Sequence, residues 1–208
     1  NFAATGNNIG LGVYTFRGDD DISGSIYSDT ILGFGGNDLV KGSTVENATL
    51  DAGDILLGNG GNDVLYGYGG DDSMVGGVDL IDPNGGNDIL YGGQGNDHIY
   101  GSGGNDMIFG ESGRDLIVGG YGSDTLSGGL GNDIFVNIHG TGRDVITDFS
   151  EGDILTIQAT GQVFNFPSAL QNATSTANGT FIDFGNGNGV TLADVQLADL
   201  SAGDFFFY

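Results

Sequence analysis

The sequence predicts an all-β repeat fold, in which short strands and turns alternate along the chain. The first observation is a nine-residue period over Gly58–Val136, with a glycine-rich first half, Asp at the sixth place and an apolar residue at the eighth. The second is the composition, because 43 glycines are accompanied by only two prolines. So strict a period in a glycine-rich chain indicates an ordered solenoid rather than a low-complexity segment.

Two of the units carry a clear resemblance to a known family. The units at 92–100 (GGQGNDHIY) and 128–136 (GGLGNDIFV) match Gly-Gly-x-Gly-x-Asp-x-apolar-x at every defined position. The chain therefore resembles the RTX (repeats-in-toxin) family of hemolysin-type calcium-binding repeat proteins. The resemblance implies a calcium-loaded parallel β-roll, which is a right-handed solenoid of two sheets.

The chain opens on residues 1–14, which do not follow the period. Ile9, Leu11 and Val13 alternate with other residues, a pattern typical of a short strand. We expect an N-terminal cap strand here, with a loose tail as the alternative. The chain begins at Asn1 without a signal segment, so we expect a processed product or part of a longer protein.

The repeat region spans 15–136. It starts before the obvious block, because 15–41 already holds three units in register. Two seven-residue interruptions follow, at 42–48 and 76–82, and the period resumes after each one. Both are therefore expected to be surface insertions rather than domain boundaries.

Residues 137–208 leave the period and predict a β-rich C-terminal cap. The run 185–189 (GNGNG) is typical of a hairpin turn. The segment 143–157 resembles the one that closes many RTX rolls. The terminal 204–208 (DFFFY) resembles the acidic-then-apolar end of proteins exported by type I secretion, and a plain end strand is the alternative.

The charge of the chain limits its partners. It has 28 acidic residues against four basic ones, a formal net charge of −24. Such a chain repels itself without counter-cations and is a poor partner for nucleic acid or anionic membranes. No cysteine is present, and no apolar run approaches the roughly 18 residues that span a membrane.

The repeat chemistry predicts calcium sites. Ca²⁺ takes six to eight oxygen ligands, and glycine lets a loop turn its carbonyls toward a shared centre. Two nine-residue units complete one coil, so loops two units apart stack into columns. The first column contains Asp20, Asp38, Asp63, Asp88, Asp106 and Asp124, and the second contains Asp29, Asp54, Asp72, Asp97, Asp115 and Asp133.

The resemblance implies one ion between successive loops of a column, hence multiple Ca²⁺ ions. Besides the twelve column aspartates, the candidate ligands are loop residues: Gly58, Gly60, Gly67, Gly69, Gly92, Asn96, Gly101, Gly103, Gly119 and Gly128. The alternative is that Gly-Asn-Asp only makes tight turns. Tyr27 replaces the fourth-place glycine in its unit, so we expect its loop to depart from the pattern. Arg114 replaces the usual Asn or Asp at the fifth place, and its charge is expected to weaken the Asp115 site.

The energetics predict folding coupled to calcium. Each unit points mainly one apolar side chain inward, worth ~1.5–3 kcal/mol, against roughly 9–18 kcal/mol to order nine backbones. We therefore expect a largely unstructured chain without calcium and a β-roll with it. Many seventh and ninth places are also apolar, including Tyr66, Tyr91 and Phe109, so the sheet faces are candidates for self-association or for a neighbouring domain.

The sequence shows no catalytic set, so we expect no enzyme activity. It contains no His-Glu-x-x-His, no Gly-x-Ser-x-Gly and no phosphate-binding loop with its Lys. The first functional hypothesis is a calcium-dependent folding and export module of a larger secreted protein. The second is a stand-alone extracellular structural protein that forms a layer, fibre or matrix, at the cell surface or beyond it. Polysaccharide binding is a weaker third hypothesis, because only four cationic residues are available.

Overall fold

A computed structural model shows two parallel β-sheets wound from one solenoid. It describes residues 2–3, 12–14, 17–44, 51–78, 85–137, 142–158 and 165–208. Up to β16, odd-numbered strands form one sheet and even-numbered strands the other, because each coil contributes one strand to each sheet. The predicted parallel β-roll is therefore confirmed.

The first sheet has eleven strands within the described residues. Eight of them are parallel and follow every second unit: β1 (Phe2–Ala3), β3 (Asp21–Ser23), β5 (Leu39–Lys41), β7 (Val64–Gly69), β9 (Ile89–Gln94), β11 (Met107–Ser112), β13 (Thr125–Ser127) and β15 (Arg143–Ile146). Three strands from the C-terminal part extend this sheet: β19 (Asn188–Ala193), β18 (Gly179–Gly185) and β17 (Ala173–Thr176).

The second sheet has nine strands in the same part of the chain. They are β2 (Gly12–Tyr14), β4 (Thr30–Leu32), β6 (Ile55–Asn59), β8 (Ser73–Gly77), β10 (His98–Gly103), β12 (Leu116–Tyr121), β14 (Ile134–Asn137), β16 (Ile154–Ile157) and β20 (Phe205–Phe207). One short helix, α1 (Phe166–Gln171), and two 3₁₀ turns, Leu197–Asp199 and Ala202–Asp204, complete the described elements.

The core is a double row of eighth-place side chains. Their parallel pairing is in register, for example Leu65 with Leu90 and Leu90 with Ile108. The pattern predicts twelve inward residues, and each of them is at most 3% exposed: Ile22, Ile31, Val40, Leu56, Leu65, Met74, Leu90, Ile99, Ile108, Ile117, Leu126 and Phe135. Ile146 and Leu155 continue the two rows, so the roll extends past residue 136 into the region predicted as a cap.

The structure describes only the first residues of the predicted insertions at 42–48 and 76–82. Gly42 and Gly76 each stand in the first-place position of their loop, against the carboxylates of Asp54 and Asp88 respectively. Residues 45–50 and 79–84 lie outside the described residues, so the bounds of the two insertions stay a prediction.

The C-terminal part completes the roll. The strand β20 pairs in parallel with β16, and β19 pairs with β15, so both sheets gain a last parallel strand from it. The run 185–189 makes the β18–β19 hairpin, with Asn186 and Gly187 at positive φ. The sequence analysis expects only strands here and misses α1, which Asn165 begins by accepting a hydrogen bond from the Ser168 backbone N–H.

Candidate metal centre

The column aspartates are joined by a repeated hydrogen bond. In each column, the backbone N–H of one sixth-place Asp donates to Oδ1 of the Asp one coil further on, as from Asp72 to Asp97 at 2.8 Å. The first column runs through Asp20, Asp38, Asp63, Asp88, Asp106, Asp124 and Asp144. The second runs through Asp29, Asp54, Asp72, Asp97, Asp115, Asp133 and Asp153. The structure thus assembles the two columns in the order that the period predicts.

The second carboxylate oxygen of most column aspartates is buried without a hydrogen-bond partner. Ten residues share this state of Oδ2: Asp38, Asp54, Asp63, Asp72, Asp88, Asp97, Asp106, Asp115, Asp124 and Asp133. Their side chains are at most 3% exposed. A buried carboxylate oxygen with no donor is unfavourable, so ten in two rows indicate that something positive belongs beside them.

A small cradle surrounds each of these oxygens. A methyl group built on Gly92 would lie 2.5 Å from Oδ2 of Asp97 and 2.8 Å from the carbonyl oxygen of Gly110, one coil on. The space beside the glycine is therefore lined by a carboxylate and a backbone carbonyl from two successive coils. The same arrangement, with an unpartnered Asp Oδ2, is found at eight first-place glycines: Gly33, Gly42, Gly58, Gly67, Gly76, Gly92, Gly101 and Gly110. Gly24 lies in the same way against Asp29 and the Gly42 carbonyl.

This donor set fits a hard cation. The carboxylate and carbonyl atoms that line the cradles are all oxygens, which suit Ca²⁺ and not a metal that prefers nitrogen or sulfur. Among the described residues, no three His, Cys, Asp or Glu side chains converge on one point. An ion in a cradle must therefore take most of its six to eight ligands from backbone carbonyls. The glycine-rich half of the repeat supplies those carbonyls.

The fourth-place glycine is required for two reasons. Gly95 and Gly113 have φ of 144° and 145°, a region that L residues with a side chain rarely adopt. A methyl group on Gly113 would also overlap the carbonyl oxygen of Gly95 in the previous coil. Tyr27 holds the fourth place in its own loop, and there Oδ2 of Asp29 accepts hydrogen bonds from the Ser25 N–H at 2.5 Å and the Ser25 hydroxyl at 3.0 Å. That loop departs from the others, as its sequence suggests.

The fifth place forms a second, exposed ladder outside the carboxylate columns. The backbone N–H of most fifth-place residues donates to the side chain one coil back, as Asn87 does to Asn62 at 2.7 Å. Asn96 belongs to this ladder, since its side chain bonds Asp71 at 3.1 Å and accepts from the Arg114 N–H at 3.0 Å. The expectation that Asn96 is a metal ligand stays a prediction. The predicted weakening of the Asp115 site by Arg114 stays a prediction.

The other candidate residues fall into two groups. Gly69 and Gly103 are third-place residues at the ends of β7 and β10. Gly60 is a third-place residue that follows β6, and its carbonyl accepts from the Gly36 N–H at 2.8 Å. First-place Gly119 and Gly128 lie against Asp124 and Asp133 respectively. Asp20 is half-buried and joins its column through its N–H, whereas the cradles are built from deeper aspartates.

Three partly or fully buried acidic residues were not predicted from the sequence. Asp144 and Asp153 end the columns, and the signal was available, because these two are nine residues apart and each is followed by two apolar residues. Asp51 lies outside both hydrogen-bonded columns. Burial raises its pKa to about 6, with the charge of Asp29 adding to the effect and a hydrogen bond from the Ser43 side chain acting in the opposite direction.

Burial also governs the protonation of the columns. It raises the pKa of Asp54 to about 8 and of Asp72 to about 9, against an ordinary value of 3.8, while the N–H donated by the neighbouring Asp acts in the opposite direction. Neighbouring carboxylates raise both values further. Without a cation, the fold therefore favours the protonated carboxyl.

The metal-free chain is expected to be more ordered at acid pH. Because the pKa of Asp72 is raised to about 9 and that of Asp88 to about 8 in the fold, the stability that their protons contribute is present below about pH 4 and lost as the pH rises through these values. In a chelator, far-UV circular dichroism should show more β-structure at pH 5 than at pH 8. Calcium should bind more tightly at pH 8 than at pH 6, because it displaces those protons. An affinity independent of pH would contradict this assignment.

Filling a cradle should remove an ion. In Gly92→Ala, the methyl group occupies the space between Asp97 Oδ2 and the Gly110 carbonyl. We expect at least one ion fewer by native mass spectrometry and a higher calcium concentration at half-folding. Gly35→Ala is the matched control, since its methyl group meets only the Gly60 carbonyl, at an ordinary 3.7 Å. An unchanged ion count in Gly92→Ala would show that the cradle is not the site.

The fold and the columns together define a β-roll with a repeated site for a hard cation. A comparison with protein families matches the RTX calcium-binding nonapeptide repeat in four copies, over residues 14–44, 49–79, 82–117 and 109–136. These matches cover more than half of the 208 residues, so the chain belongs to this family. The calcium-binding character of the repeat, and the resemblance seen in the sequence, are thereby confirmed.

The other comparisons add less. A comparison with curated proteins gave no match. The extracellular lipase LipA from Serratia marcescens has a similar solved structure, with 16% identity and a TM-score of 0.43 over 99% of this chain and 42% of the lipase chain. The chain thus spans under half of the lipase's length, and a likeness at this score carries no argument about activity. In the part of the chain that the structure describes, no helix is long and apolar enough to span a membrane.

Proposed function

We propose that this chain is a calcium-dependent folding and export module of a larger protein secreted from the cell. The observation that carries the proposal is the double row of ten buried, unpartnered Asp oxygens. Such a row is unfavourable in a calcium-poor compartment and becomes favourable where calcium is abundant. Folding would then follow export, since extracellular modules bind calcium in the roughly 10⁻⁴–10⁻³ M range.

The eight complete cradles set the proposed ion sites. Four lie in the first column, beside Asp38, Asp63, Asp88 and Asp106, and four in the second, beside Asp54, Asp72, Asp97 and Asp115. In each, Oδ2 of the sixth-place Asp and the carbonyl of a first-place glycine one coil on would hold the ion. Bound calcium supplies positive charge at the carboxylate and ties two successive coils together. The reaction is binding coupled to folding, and no residue is assigned a catalytic role.

The export part of the proposal is supported by the residue pattern at 204–208. Residues 204–208 are the acidic-then-apolar run that is expected to be read in type I secretion, and in the folded roll Phe205–Phe207 is the edge strand β20. The same run would therefore be accessible in the unfolded chain and covered on one face after folding. Phe205 is 7% exposed and Phe206 is 58% exposed.

A secretion assay tests this proposal. The chain is fused to the C-terminus of a passenger protein and expressed with a type I export apparatus, and the passenger is measured in the medium. We expect export of the fusion, and a β-roll spectrum only after calcium is added to the exported protein. A fusion that appears in the medium equally well without the export apparatus would overturn the export role while leaving calcium binding intact.

A structural role is the second candidate, and one observation favours it. Tyr66, Tyr91 and Phe109 stack along one sheet face, with ring centroids 4.8 and 4.9 Å apart. Met107 on the same face is 43% exposed, and Ile55 on the other sheet is 48% exposed. These faces could join rolls side by side into a layer or fibre. Light scattering in calcium decides between the two, because a monomer supports the export module and extended particles support the assembly.

A further inference from the structure

The hydrogen bonding of Oδ2 differs between the ends of the two carboxylate columns and their interior. Along each column, Oδ2 of the sixth-place Asp has no partner in the protein. At the last member of the first column, Oδ2 of Asp144 accepts a hydrogen bond from Nδ2 of Asn137 at 3.2 Å. At the last member of the second, Oδ2 of Asp153 accepts from the Ser150 N–H at 2.8 Å and from its hydroxyl at 3.2 Å. The ends thus carry protein donors in the position where the interior carries none.

Asn137 occupies the position at which the earlier units have a cradle glycine. It follows Ile134, Phe135 and Val136, the seventh to ninth places of the last regular unit, and so stands in the first place of the next. In eight of the preceding units this place is the glycine that leaves the cradle open. Here the side chain is present, 6% exposed, and its amide reaches the carboxylate that belongs to the same loop.

At the start of the second column, Oδ2 also accepts hydrogen bonds from protein donors. Oδ2 of Asp29 accepts from both the N–H and the hydroxyl of Ser25, at 2.5 and 3.0 Å. Three of the four column ends are therefore closed by Ser or Asn, each from a different place of the loop, while the ten interior carboxylates are not. Three independent solutions to the same end position argue against a chance hydrogen bond.

We infer that Asn137 is a built-in substitute for a calcium ion, which closes the first column at Asp144, and that Ser150 and Ser25 close the two ends of the second column in the same way. An N–H or O–H donor gives the last carboxylate the positive partner that an ion gives the others. The ends need no ion, so the maximum number of bound ions is set by the sequence. The inference rests on the proposed calcium sites in the cradles.

The substitution Asn137→Asp tests this directly. It keeps the shape of the side chain, removes the donor and places a second carboxylate beside Asp144. Two buried carboxylates at this distance repel each other unless a cation lies between them. In saturating Ca²⁺, native mass spectrometry should count one more bound ion in Asn137→Asp than in the natural chain. Asn178→Asp, an exposed position in the C-terminal part, makes the same charge change and should leave the count unaltered.

The outcomes separate this inference from the function on which it rests. If the natural chain binds calcium and Asn137→Asp binds the same number of ions, the inference alone is overturned. A natural chain that binds no calcium would overturn the proposed function and the inference together. If Asn137→Asp does not reach the calcium-loaded circular dichroism spectrum, Asn137→Gly removes the donor and restores the first-place glycine of the earlier units, where one additional ion supports the inference and an unchanged count overturns it.

Discussion

Removing calcium is expected to unfold the roll. The metal-free fold must hold ten carboxylates whose Oδ2 has no partner, in a chain of net charge −24, and the short apolar rows do not offset that cost. The far-UV β-sheet signal should disappear in a chelator. The radius of gyration by small-angle X-ray scattering should rise toward the unfolded value of about 49 Å, from a value somewhat above the roughly 17 Å of a compact domain of this length.

The controls for this experiment follow from ion chemistry. Magnesium at the same concentration should not restore the roll, because it demands near-ideal octahedral geometry and keeps its waters. Sodium chloride at equal ionic strength screens the net charge without filling the cradles, so it should restore little structure. A chelated chain that keeps its compact scattering profile and its far-UV spectrum at pH 8 would contradict coupled folding.

The second large effect is expected from Asp72→Asn, in the middle of the second column. The amide oxygen still accepts the N–H of Asp54, as Oδ1 of Asp72 does at 2.7 Å, so the column's hydrogen bonds are kept. The charge that faces the Gly92 carbonyl is lost. Because even indirect partners of a metal change its affinity by about 10–100-fold, loss of a ligand should raise the calcium midpoint of folding by about tenfold or more.

A matched substitution separates this loss from the change in net charge. Asp199→Asn removes the same charge at an exposed position away from the columns, and it should leave the calcium midpoint within error. The midpoint is read from circular dichroism during a calcium titration, and the ion count from native mass spectrometry. Equal midpoints for Asp72→Asn and Asp199→Asn would mean that Oδ2 of Asp72 holds no ion.

Most of the architecture could be predicted from the repeat period. Nine residues per half-coil is sufficient to place Asp72 against Asp97 and to put Leu65 over Leu90, because a fixed period leaves one way to stack the coils. The inward positions followed from the same count. The apolar ninth places were expected outside, and most are partly exposed, but Val118 is only 4% exposed. The stacking of Tyr66 on Tyr91 depends on side-chain rotamers, which the period does not specify.

The details of the loops depended on contacts that no pattern contains. The sequence alone does not show that Gly42 and Gly76 stand in the first place of a loop, and their contacts with Asp54 and Asp88 do. The helix α1 spans six residues, too few to show a helical period, and is set by the local cap at Asn165.

The end of the roll was missed for a related reason. Asp124 and Asp144 are 20 residues apart, as are Asp133 and Asp153, whereas two regular units span 18. The two extra residues break the period just where the columns end. The first-place Asn137 then looks like the start of an irregular segment, although its side chain lies in the same kind of cradle as the glycines before it.

The most direct measurement is a crystal structure of the chain grown in Ca²⁺, with anomalous scattering used to locate the ions. We expect two rows of anomalous peaks, each about 2.3–2.6 Å from Oδ2 of a cradle aspartate and from the carbonyls around it. The loops of Asp144 and Asp153 should show no peak, because Asn137 and Ser150 already donate hydrogen bonds to Oδ2 of these two residues. Cradles without peaks, in a roll folded as described, would contradict the account.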